Sequence, residues 1–62
     1  MNTDKVYRFL KEHTQGMDAI YEDYLNRLIG ERGVNLLVEN GLLESCGVIN
    51  NRRLFVICEK PE

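Results

Sequence analysis

Sixty-two residues with a formal net charge of −2, 44% of them hydrophobic and 29% charged, describe one small globular domain spanning 1–62 rather than a disordered chain. The mild acidic excess gives no general attraction for nucleic acid or an anionic membrane, so any such contact needs basic residues gathered on one face. A chain this short buries only about 60% of the surface its unfolded form exposes, so its core is marginal and a partner subunit would stabilise it.

Three helical segments are predicted first. The first runs from about Asp4 to His13, with Thr3 as its N-cap. Val6, Phe9, Leu10 and His13 fall at i, i+3, i+4 and i+7 and form the stripe expected to be buried. His13 closes this helix, where an imidazole is favourable at the C-terminus. Thr14-Gln15-Gly16 breaks it. The second helix carries Met17, Ile20, Tyr21, Tyr24, Leu25, Leu28 and Ile29 on one side. Asp18, Glu22, Asp23, Asn26 and Arg27 take the other. Asp18 is its expected cap and Gly30 its stop. The third covers about Glu31 to Asn40, with Val34, Leu37 and Val38 as its apolar face. Gly41 then suits a left-handed position just past its end.

After Gly41 the period becomes that of strands. Leu42–Ile49 and Arg52–Glu59 flank Asn50-Asn51, which tolerate positive φ and predict a two-residue type I′ turn. A regular ladder from that turn pairs Ile49 with Arg52, Val48 with Arg53, Gly47 with Leu54 and Cys46 with Phe55. It continues with Ser45 opposite Val56, Glu44 opposite Ile57 and Leu43 opposite Cys58. Leu43, Leu54, Val56 and Cys58 then cover the helices, and Cys46, Val48, Phe55 and Ile57 face outward as an apolar interface for a second copy or another protein.

Three helices followed by a two-stranded hairpin make an α+β fold. In that order, and in the join Asn40-Gly41-Leu42-Leu43, the chain resembles the winged-helix (helix-turn-helix) domains of small bacterial DNA-binding regulators. The resemblance implies a dimeric transcriptional regulator, with the third helix in the major groove and Asn50-Asn51-Arg52-Arg53 as the tip of the wing. Arg32 and Asn35 would meet base edges, since arginine pairs guanine and asparagine pairs adenine through two hydrogen bonds each. Arg52, Arg53 and Arg27, with Asn51, would hold phosphates. Against this stand Glu22, Asp23, Glu31 and Glu39, which lie on the same two helices and repel a phosphate backbone. The same arginines also read as ordinary solvated charges. The alternative function is a non-enzymatic protein-interaction module, an accessory or inhibitor subunit that uses the outer hairpin face.

No catalytic site is legible. Phosphate loops, paired-cysteine knuckles and Ser/His/Asp signatures are absent, and a domain of this size scarcely encloses a substrate pocket. Neither a small-molecule substrate nor a cofactor is expected. His13, Cys46 and Cys58 fall short of the roughly four ligands of a zinc site, so no metal is expected and the cysteines read as small buried thiols. Tyr21 and Tyr24 read as core or half-core residues with wet hydroxyls. The polar start Met1-Asn2-Thr3-Asp4-Lys5 has no apolar run behind it, and no stretch reaches the about 18 apolar residues of a membrane span. The expected location is the cytoplasm, without a membrane partner.

Overall fold

The computed structural model describes residues 2–59. Its elements in chain order are helix α1 (Thr3–His13), strand β1 (Ile20–Tyr21), helix α2 (Glu22–Glu39) and strands β2 (Leu43–Ile49) and β3 (Arg52–Ile57). The three strands form one antiparallel sheet in the order β1-β3-β2. Two helices and a three-stranded sheet therefore replace the expected three helices and two-stranded hairpin. No helix among the described residues is long and apolar enough to cross a membrane.

Helix α1 begins one residue earlier than expected. The Oδ1 of Asn2, not the hydroxyl of Thr3, accepts from the Lys5 amide at 3.1 Å and satisfies a first-turn donor. Tyr7 and Leu10 are the buried residues of this helix, with Val6 packed at the edge of the core. Phe9 and His13 instead stand in solvent, stacked on each other with ring centroids 4.1 Å apart. The helix is turned so that the large Tyr7 ring is covered and its hydroxyl donates to the Cys58 carbonyl at 2.8 Å. That bond fastens α1 to the end of β3 and gives the buried phenol its partner. Thr14 closes the helix. Its buried hydroxyl donates to the Leu10 carbonyl at 2.7 Å.

Residues 17–21 do not belong to the second helix. Ile20 and Tyr21 are extended and pair with Phe55 and Leu54 of β3. β-Branched and aromatic residues suit such a position, and the pairing satisfies backbone groups that β3 would otherwise leave open at an edge. Asp18 consequently caps nothing. Tyr21 holds the N-cap position of α2 without a side-chain cap bond, and Glu22 and Asp23 stand in the first turn, where negative charge favours the exposed amides.

Helix α2 is broken where the stop was expected, and its two helical segments meet there across a kink. Gly30 interrupts it at φ 77°, ψ 164°, and helical geometry resumes at once. A residue with a side chain is strained at that φ, so glycine allows the kink. The far end follows the expected chemistry. Gly41 has φ 72°, the Leu42 amide donates to the Leu37 carbonyl at 2.8 Å, and the Gly41 amide donates to the Val38 carbonyl at 3.0 Å. This is a Schellman ending, with Leu37 and Leu42 both buried as its apolar contact.

The Asn50-Asn51 turn has φ of 52° and 64°, as a type I′ turn requires. From it the ladder runs as expected through Ile49–Arg52, Val48–Arg53 and Gly47–Leu54. Then a β-bulge between Ser45 and Gly47 shifts it by one residue. Ser45, Glu44 and Leu43 pair with Phe55, Val56 and Ile57, not with Val56, Ile57 and Cys58. A one-residue slip exchanges faces. The shift brings Leu43 onto the side of Phe55, and both are buried, at 2% and 3% exposure.

The expected interface is corrected by the same shift. Phe55 belongs to the core and Ile57 packs against it. Cys46 sits in the bulge and is exposed, so it is not the buried filler expected of it. The core joins Tyr7 and Leu10 of α1, Ile20 of β1, Leu25, Val34 and Leu37 of α2, Leu42, Leu43 and Phe55.

Phe55→Asp should therefore unfold the domain rather than merely dissociate it. Losing a buried phenyl costs about 3–5 kcal/mol before any charge is buried, against a total stability of about 3–9 kcal/mol for a chain of this length. Val48→Asp, at a site 65% exposed, should shift stability by no more than about 0.5 kcal/mol. Urea unfolding followed by circular dichroism checks both.

Candidate functional site

The type I′ turn carries Asn51 and Arg52 to the end of the sheet nearest the start of α2. Their neighbours there are Glu22, Asp23, Asn26 and Arg53, and together these residues line a shallow polar dish of about 240 Å³. Arg52 is held most closely. Its Nε and Nη2 donate to Asp23 Oδ1 at 3.2 and 3.0 Å, and Nη2 also donates to Oδ2 at 2.7 Å. The flat guanidinium lies over the Tyr21 ring, 3.7 Å from its centroid. A two-oxygen grip from one side and an aromatic face from the other define the position of a planar cation. Arg53 pairs with Glu22 through Nη1 and Oε2 at 3.5 Å.

The sheet explains why these groups meet. Tyr21 pairs with Leu54 and Ile49 with Arg52, so Tyr21 and Arg52 project from the same side of the sheet, the side opposite Phe55. Glu22 and Asp23 follow Tyr21 directly in the chain, at the first turn of α2. Strand β1, two residues long, thus delivers an aromatic ring and two carboxylates to the hairpin tip. The hydrogen bonds from Arg52 hold the Asp23 carboxyl below its ordinary value, with the charges of Arg52 and Arg27 adding to the effect. Asp23 in turn raises Arg52.

The expected DNA-contacting residues are divided. Asn51, Arg52 and Arg53 share the dish, and Arg27, exposed on α2, acts on Asp23 by its charge. Arg32 and Asn35 are exposed beyond the Gly30 kink, on the second half of the helix, and neither lines the dish. Tyr21, Glu22, Asp23 and Asn26 complete the cluster. Glu22 and Asp23 read as mid-helix residues until β1 moved the start of α2 to Glu22, and Tyr21 needed β1 for the same reason.

A second feature adjoins the first. Between the far half of α2 and the hairpin lies a groove of about 400 Å³. Val34, Val38, Leu43 and Phe55 supply its apolar lining, and Glu22, Glu44 and Arg53 its charges. Val38 is 43% exposed there. Of the four expected interface residues, Cys46 and Val48 are open to solvent, while Phe55 is covered and Ile57 half-buried.

Compared with protein families, curated proteins and solved structures, the chain matches none. Nothing in those comparisons identifies a winged-helix domain.

Because its partner lowers it, the Asp23 carboxyl should titrate with a midpoint below its ordinary value of 3.8. A group lowered on folding contributes stability above its unfolded value, and that contribution disappears as pH falls through the folded value. The Arg52 contact should therefore persist at pH 5 and weaken only as pH falls below the ordinary carboxylate value of 3.8. NMR titration of the Asp23 side-chain carbon checks this, and Arg52→Gln should return the midpoint toward 3.8.

Proposed function

We propose that this chain is a non-enzymatic protein-interaction module that self-associates through the groove between the second half of α2 and the hairpin. One observation carries the reading. Each hairpin arginine is already matched by an acid, Arg52 by Asp23 and Arg53 by Glu22, whereas the adjacent groove keeps apolar Val38 open to water. A phosphate backbone finds little uncompensated positive charge at the tip. A second copy finds Val38 exposed at the mouth of the groove, and a two-fold contact can set the same patch of both copies against each other. A short chain with a marginal core also gains stability when apolar area is buried against a partner. The proposed surface is the groove rather than the outer hairpin face, because Phe55 and Ile57 pack toward the helices.

Sedimentation equilibrium over a wide concentration range tests this reading. The wild type should pass from monomer to dimer as concentration rises. Val38→Asp should remain monomeric at every concentration with an unchanged circular-dichroism spectrum, since the site is exposed. A wild type that stays monomeric throughout, or a Val38→Asp variant that dimerises normally, would falsify it.

A further inference from the structure

The ion pairs at the hairpin tip join two elements distant in sequence. Asp23 and Arg52 are 29 positions apart. Both pairs lie at the surface, with side-chain exposures of 47% and 59% for Arg52 and Asp23 and of 56% and 39% for Arg53 and Glu22. Exposed pairs of this kind add little to stability, so their consequence is to be sought in what the arginines are prevented from doing. Arg52 presents the same donors to Asp23 that a guanidinium presents to a phosphate. Asp23 holds those donors and Glu22 pairs with the neighbouring Arg53, and all four residues line one dish, so an approaching phosphate meets two like charges as well as an occupied cation. Without the carboxylates the tip would offer Arg52, Arg53 and the Asn51 amide, with Arg27 close enough to act on Asp23.

We propose that Glu22 and Asp23 act as an intramolecular substitute for phosphate, occupying Arg52 and Arg53 and suppressing a latent polyanion-binding surface at the hairpin tip. The acids are specificity residues. They make the tip unattractive to nucleic acid by repulsion and by occupation together, as selective surfaces often do. Tyr21 assists by holding the Arg52 guanidinium flat in reach of Asp23. This inference does not require self-association, although Glu22 and Arg53 line both the dish and the groove; Asp23 and Arg52 line the dish alone, so Asp23→Asn tests the masking without altering the groove.

Fluorescence anisotropy with a short mixed-sequence DNA duplex tests it, at about 50 mM and about 200 mM salt. The double variant Glu22→Gln, Asp23→Asn should bind at least about tenfold more tightly than wild type at the lower salt. Its plot of log affinity against log salt should be steeper by about 2 units, the expectation for two released phosphate contacts. Adding Arg52→Gln and Arg53→Gln should abolish the gain. The control Glu31→Gln, Glu39→Gln removes the same number of negative charges from exposed positions of α2 outside the dish and should gain little. An equal gain in that control would show an effect of net charge alone and overturn the proposal. So would unchanged binding in a folded Glu22→Gln, Asp23→Asn protein, or wild-type binding as tight as the variant's. If the double variant fails to fold, Asp23→Asn alone, which frees Arg52, carries the same test with half the change in slope.

Discussion

Strand β3 lies between the other two strands, and its alternation decides which side chains reach the helices. Phe55 points inward, with Ile20 of β1 on one side and Ser45 of β2 on the other. For β2 to add an apolar residue to that side, Leu43 must stand opposite Ile57. An unbroken ladder from the Asn50-Asn51 turn would have put Leu43 on the outer side. The bulge at Cys46 resolves the conflict between turn and core. It admits one extra residue and lets both ends of the hairpin keep their favoured conformations. Tyr7 then bonds to the Cys58 carbonyl just past β3, and the core closes around Phe55.

That arrangement also divides the surface. The inward side of β2 and β3 meets the second half of α2 and leaves the apolar groove between them. The outward side carries Arg52 to the ring of Tyr21 and to the carboxylate of Asp23. Arg53, one residue on, points to the other side and finds Glu22. Two neighbouring arginines are thus neutralised by two neighbouring acids across the hairpin tip. In water such pairs add modestly to stability but strongly influence which charged partners a surface accepts. The site is therefore better described by its compensated charge than by its count of arginines.

Some features were legible before the fold was known. Asn50-Asn51 supplied a type I′ turn because asparagine tolerates positive φ, and Asn40-Gly41-Leu42 supplied the Schellman ending. Tyr24, Leu25, Leu28 and Ile29 lie on a helix with the apolar spacing read for them. Other features were hidden by ambiguity in the spacing itself. Ile20 fits the stripe of a helix containing Leu25 and Leu28, yet it is equally buried when its backbone is extended against Phe55. Val6, Phe9, Leu10 and His13 make a regular stripe, but so do Tyr7, Leu10 and Thr14, and the helix turns to bury the latter.

By itself the sequence determined what depends on a few adjacent residues: the hairpin turn, the ending of α2, the run of apolar residues that becomes β3, and the presence of a conformational break at Gly30. Each follows from backbone sterics or local hydrogen bonding and needs no distant partner. Only the tertiary structure decided that Ile20 and Tyr21 form a strand, that β2 bulges at Cys46, that Phe55 faces inward and that Arg52 meets Asp23. Those outcomes join groups far apart in the chain, as Asp23 and Arg52 are at 29 positions. They are selected by which arrangement buries Phe55 and Leu43 together while leaving the backbone of β3 paired on both sides.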